Sequence, residues 1–140
     1  MKPTQKIYRI TLRSSPRSIK RVEGYLQKIS SAVELDEIQM HKLMVSLTEA
    51  VNNAILHGNR SKADKKVSVR CEVVPGWLLF EINDEGKGFR PDHVRNPLKE
   101  ENLHRESGRG IFLMRTLMDK VEFEHLSSGM QVRLWLNLNK

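Results

Sequence analysis

The sequence predicts an α+β fold: a two-layer sandwich with helices packed on one face of a mixed, mostly antiparallel sheet. Three observations point there. Four segments alternate apolar with polar residues, as half-buried strands do, a fifth, Trp77 to Ile82, is a short apolar-rich run, and three others carry apolar residues at helical spacing. Two pairs of these strand segments are joined by short turns, which predicts hairpins. The resulting order is strand, two helices, hairpin, loop, helix, hairpin, with strands clustered after helices.

The elements follow in chain order. Tyr8, Ile10 and Leu12 alternate with Arg9, Thr11 and Arg13 in a first strand. Ser14-Ser15-Pro16-Arg17 opens a helix, because proline at the first helical position lacks only a donor the helix does not need. Ile19, Val22, Leu26 and Ile29 form its apolar face, and Gly24 weakens it slightly. Asp36, with Gln39 three residues on, starts the second helix with an imperfect capping box. Ile38, Leu43, Leu47, Ala50, Val51, Ala54 and Ile55 supply its apolar face, and Gly58-Asn59 is its stop signal.

Val67, Val69, Cys71 and Val73 alternate; Pro75-Gly76 turns the chain; Trp77 to Ile82 completes a hairpin. From Phe89 to Ser107 prolines and charges dominate, and a loop this long in a compact domain is either functional or disordered. Ile111, Met114, Leu117 and Met118 mark a third helix beginning at Gly108-Arg109-Gly110. Val121, Phe123 and His125 form a strand, Ser127-Ser128-Gly129 a turn, and Val132, Leu134, Leu136 and Leu138 the last strand.

Composition narrows the functional classes. A chain of 140 residues fits one domain, 1–140, with one core. No apolar run is long enough to cross a bilayer and no signal-peptide stretch follows the basic N-terminus, so a cytoplasmic protein without membrane contact is expected. The single cysteine, Cys71, leaves no internal disulfide or Cys-pair zinc site, and its place among alternating residues reads as a core thiol. Lys and Arg outnumber Asp and Glu by 24 to 17, a surface that attracts polyanions, acidic proteins or nucleotides. Positive charge is spread along the chain, and aromatics at 6% offer no stacking platform, so direct nucleic-acid binding is not expected.

Three segments carry chemistry. Glu49, Asn53 and His57, with Asn52 beside them, recur at spacings of four on the second helix and so project from nearly one face. An amide oxygen suits Mg²⁺, and a carboxylate one turn earlier can orient an attacking hydroxyl or take its proton. The plainer reading of this stripe is a solvated helix edge. Asn83-Asp84-Glu85-Gly86-Lys87-Gly88-Phe89 follows a strand. There Asp84 can accept from an amino group such as that of adenine, and Gly86 and Gly88 permit close backbone approach. Turns favour Asp and Gly in any case. Ser107-Gly108-Arg109-Gly110-Ile111 opens a helix, whose terminal N–H groups and dipole suit phosphate. An ordinary helix start fits equally. The preceding loop holds Arg95, Lys99, His104 and Arg105 among Glu100, Glu101 and Glu106; a lid over phosphates needs such cations, and a solvated mixed-charge loop contains them too.

Together these segments resemble the ATPase superfamily of gyrase, heat-shock-ninety chaperones, histidine kinases and mismatch-repair proteins. The shared pattern is a helical Glu-x-x-x-Asn, Asp-x-Gly-x-Gly after a strand, a variable loop, and Gly-x-Gly opening a helix. Within it, Leu47-Thr48-Glu49-Ala50-Val51-Asn52-Asn53-Ala54-Ile55-Leu56-His57-Gly58 is similar to the anti-sigma factor serine kinases of bacteria. The resemblance implies the histidine-kinase-like ATPase fold, with ATP and Mg²⁺ as cofactors. It implies that Glu49 is the catalytic carboxylate, Asn53 the Mg²⁺ ligand and Asp84 the adenine contact. By the same match Gly86 and Gly88 shape the adenine pocket. Gly108, Arg109 and Gly110, with Arg105, meet the phosphates beneath a lid around 89–107. His57 falls in the helix motif and is expected to support it by packing or by holding a neighbouring site residue. One departure stands out: family members often carry Gly-Thr before the last strand, where this chain has Gly129-Met130.

The function this implies is a protein serine kinase that holds a sigma factor inactive and phosphorylates an anti-anti-sigma protein, as a homodimer. The alternative is a nucleotide-switched binding module that transfers no phosphate. A histidine-kinase fragment fits less well, because no helical hairpin presents a phospho-accepting histidine and His41 reads as a surface residue.

Overall fold

The computed structural model describes residues 6–62, 64–86 and 106–139. Five strands form one sheet: β1 Lys6–Arg13, β2 Lys66–Val74, β3 Trp77–Asn83, β4 Lys120–Leu126 and β5 Gly129–Asn137. Their order is β1-β2-β3-β5-β4, and every pairing among the described residues is antiparallel. The α+β architecture and the two hairpins stand as the alternation indicated.

Register explains the two-layer form. Tyr8, Cys71, Phe80, Leu134 and Val121 stand opposite one another across all five strands, as do Ile10, Val69, Ile82, Val132 and Phe123. Because side chains alternate faces, these rows share one side of the sheet. They meet the helices there, and the two layers enclose one core. The opposite face carries the row Arg9, Arg70, Glu81, Arg133 and Glu122, tied by Arg70–Glu81 at 2.7 Å and Arg133–Glu122 at 3.4 Å. Cys71 is fully buried, and burial pushes its thiol up to about 12, so it is the inert core residue expected.

Pro16–Ile19 form a 3₁₀ turn that leads into α1, Lys20–Val33. Val22, Tyr25, Leu26 and Ile29 bury its inner face, and Tyr25 donates its hydroxyl to Tyr8 O at 2.7 Å. Helix α2 runs Glu37–Asn53 behind a complete capping box, in which Asp36 Oδ1 accepts from Gln39 N and Gln39 Oε1 accepts from Asp36 N. Ile38, expected on the apolar face, is 68% exposed. At about 100° per residue it stands well off the Leu43–Leu47 stripe. Past Asn53 the chain widens into a π turn, Ala54–Gly58. Helix α3 runs Glu106–Leu117, so Gly108-Arg109-Gly110 lie within the helix instead of opening it. No described helix is long and apolar enough to cross a membrane.

Candidate functional site

The site lies where the C-terminal end of α2 meets α3 and the ends of β3 and β5. Its first cluster forms between the helices. A Cβ built on Gly110 would stand 2.5 Å from Glu49 Oε2 and 3.7 Å from Asn53 Nδ2. Glu49 and Asn53, one turn apart, therefore converge on the backbone of α3. Glycine at 110 leaves room for this approach, at the roughly 1 kcal/mol that glycine costs a helix interior. The structure places a carboxylate and an amide against this glycine.

Asn53 is 6% exposed, and its Nδ2 has no hydrogen-bond partner among the described residues. A buried N–H donor without a partner costs about 1–3 kcal/mol, so its retention points to a ligand that offers it an acceptor. The amide oxygen of the same side chain is a hard donor of the kind that suits Mg²⁺.

The second cluster surrounds Asp84, which is 7% exposed just past β3. Its Oδ1 accepts from Gly86 N at 3.0 Å and Met130 N at 3.1 Å, and its own N–H donates to Met130 O at 3.0 Å. Oδ2 stands outside those bonds, against Gly58, where an added Cβ would lie 2.0 Å away. A Cβ on Gly86 would strike Gly58 O at 1.5 Å, and one on Gly129, at φ +151°, would lie 2.0 Å from Asp84 O. The pocket thus consists of backbone drawn tightly around one carboxylate. Burial raises the Asp84 carboxyl above the usual aspartate range, against the opposing pull of the Met130 and Gly86 amides. The Gly129-Met130 departure is met by the backbone: Met130 lends its N–H and C=O to Asp84 without a hydroxyl.

The π turn joins the clusters, with Asn53 before it and Gly58 at its end. Its i→i+5 bond, Asn59 N to Ala54 O at 2.8 Å, turns the chain so that the spacing of four no longer keeps one face. His57 is exposed in consequence, not packed in support of the motif as expected. Asn52 is half-buried, and His41 is exposed as expected. Arg109 is exposed on α3, and Gly108 lies within that helix. Gly88, Arg105 and the lid expected around 89–107 lie outside the described residues, apart from Glu106 and Ser107 at the start of α3.

Sequence reasoning missed Gly58 and Asn59, taking them only as a helix stop. It also missed Glu85 and the Met130 backbone. Asn59 is 1% exposed; its Nδ2 donates to Lys66 O at 2.9 Å and its Oδ1 accepts from Glu85 N at 2.8 Å.

Comparison with known proteins places these features in context. Residues 12–136 match the histidine kinase-like ATPase domain family. An anti-sigma F factor of Clostridium botulinum is 37% identical over 109 residues, covering 75% of this chain and 74% of that one. The serine-protein kinase RsbW of Bacillus licheniformis is 30% identical over 127 residues, covering 82% and 75%. Among solved structures, the RsbU and RsbW domains of a Mycobacterium tuberculosis protein superpose with a TM-score of 0.69 at 16% identity, over 96% of this chain and 32% of that one. The histidine kinase domain of a blue-light activated kinase from Erythrobacter litoralis gives 0.60 at 18% identity, over 84% and 61%. These two likenesses show a shared fold.

Proposed function

From the premise that this chain belongs to the anti-sigma factor serine-protein kinase family of histidine kinase-like ATPase domains, we propose that it is an ATP-dependent protein serine kinase. In this reading it also sequesters a sigma factor and phosphorylates an anti-anti-sigma protein. It acts as a single cytoplasmic ATP-binding domain and a homodimer. The observation that carries the reading is the convergence of Glu49 and Asn53 on Gly110, with Asp84 held by backbone at the far side of the π turn.

Each residue has a task. Asp84 accepts from the adenine amino group through Oδ2, while Gly58 and Gly86 keep side chains out of the base's way. Asn53 holds Mg²⁺ through its amide oxygen. Glu49 orients a serine hydroxyl of the partner protein, or accepts its proton. Gly88 shapes the adenine pocket with Gly86, and Gly108, Arg109 and Gly110, with Arg105, border the phosphates. Bound ATP–Mg²⁺ supplies the phosphoryl group and neutralises its charge. Phosphoryl transfer rests mainly on positioning and charge stabilisation, so this short set of side chains suffices.

The test is incubation of the protein with γ-labelled ATP, Mg²⁺ and an anti-anti-sigma protein from a related bacterium. The reading expects labelled phosphoserine on that partner, abolished in Glu49→Gln. ATP-dependent binding to the partner without label would favour the nucleotide-switched binding module.

A further inference from the structure

We propose that Asn59 and Glu85 form a positioning clamp that holds Asp84 in register for a purine 6-amino group. The inference rests on the kinase reading for the identity of the ligand, and on geometry for the clamp itself.

Two short backbone segments lie side by side here: Gly58-Asn59 after α2 and Asp84-Glu85-Gly86 after β3. Glycines occupy the contact, and Gly86 packs directly on the Gly58 carbonyl. The glycines contribute no side chain across the seam, and beside the Asp84 carboxylate it is hydrogen bonds that set its register. Asn59 provides them. Its carboxamide bridges Glu85 N–H and Lys66 C=O, using both ends of a side chain that is 1% exposed. Glu85 closes the loop, because its Oε1 accepts from Lys66 N. Three segments, following α2, opening β2 and following β3, are thereby fixed to one another. A part-buried network with its partners in place favours a single arrangement.

The consequence falls on Asp84. Its Oδ1 accepts from Gly86 N, one residue beyond the Glu85 amide that Asn59 holds, and its Oδ2 faces Gly58, one residue before Asn59. Shifting either segment by a fraction of an ångström changes where Oδ2 points. Neither Asn59 nor Glu85 need touch the ligand; both act through Asp84. Glu85 is exposed, so its side chain can be altered without opening the core.

The experiment uses the whole chain and the variants Asn59→Ala, Glu85→Ala and Glu85→Gln. Two quantities are read. The first is amide hydrogen exchange at Gly86 and Met130 without nucleotide, compared with core amides of Phe80 and Leu134. The second is the ratio of affinities for ATP and inosine triphosphate, which has a carbonyl in place of the 6-amino group. The clamp predicts that Asn59→Ala and Glu85→Ala speed exchange at Gly86 and Met130 by about tenfold while core amides hold. It predicts that both variants shrink the ATP preference, and that Glu85→Gln, which keeps an acceptor for Lys66 N–H, restores both readouts. Unchanged exchange at the two amides, or equal acceleration of every amide, overturns the clamp. A wild type that binds neither nucleotide, or both alike, overturns the adenine reading and leaves the clamp to be decided by exchange. If Asn59→Ala does not fold, the two Glu85 variants decide.

Discussion

Gly110 approaches Glu49 so closely that a methyl group at 110 would stand 2.5 Å from the Glu49 carboxylate. The atom in the way is the far end of a flexible side chain, so Gly110→Ala should displace the carboxylate without forcing the helices apart. Alanine also favours the helix by up to about 1 kcal/mol. We expect Gly110→Ala to melt at or slightly above wild type and to lose far less ATP affinity than transfer activity. Phosphoryl transfer should fall about a hundredfold, the cost of a misplaced catalytic group. Thermal melts, calorimetry and a transfer assay on one preparation check all three.

Gly58 is a different case, because its obstacle is held. An added Cβ would lie 2.0 Å from Asp84 Oδ2 and 2.4 Å from Cγ, and the Asp84 Oδ1 bonds to Gly86 and Met130 resist movement. Gly58→Ala should cost about 1–3 kcal/mol, as overpacking does. Removing the obstacle should recover much of it, so the double variant Gly58→Ala/Asp84→Ala should be more stable than the sum of the singles predicts. A double-mutant cycle by denaturant unfolding measures this coupling.

Asp84 should exchange stability for binding. Its folded carboxyl is raised above the unfolded value near 3.8, chiefly by burial. The folded state therefore binds the proton more tightly, and the stability this contributes is present below the unfolded value and lost as pH rises through the folded one. Asp84→Asn keeps an oxygen acceptor for the two amides and removes the buried charge. The variant should gain on wild type in melting temperature as pH rises from below the ordinary aspartate value through the raised folded one. ATP affinity should fall about tenfold or more at neutral pH, because the amide can turn a donor toward the adenine amino group. Parallel melts across that range decide the sign.

How far the sequence carries depends on the element. The hairpins were legible because apolar positions recur at period two and short turns join the segments, and the register brings Tyr8, Cys71, Phe80, Leu134 and Val121 into one row on the core side. Glu49 and Asn53 were legible as a pair because a regular helix fixes what a spacing of four means. The same rule misplaced His57, since a π turn has no compositional signature and begins one residue past Asn53. Gly58 and Asn59 were hidden for that reason too: as a helix stop they looked complete, and their partners, Asp84 and Glu85, are about 26 residues away in sequence. Gly110 was singled out as a place where phosphates come close, and the structure shows Glu49 packed against it. Met130 could not be read from its side chain, because its backbone is what reaches Asp84.

The central claim is that Asp84 and Asn53 mark the two ends of one ATP–Mg²⁺ site. Calorimetric titration of ATP, with and without Mg²⁺, into wild type, Asp84→Ala and Asn53→Ala tests it most directly. The account predicts Mg²⁺-enhanced binding by wild type, none detectable by Asp84→Ala, and binding by Asn53→Ala that Mg²⁺ no longer strengthens. A folded wild type that takes up no ATP, or an Asn53→Ala variant whose affinity still rises with Mg²⁺, would contradict it.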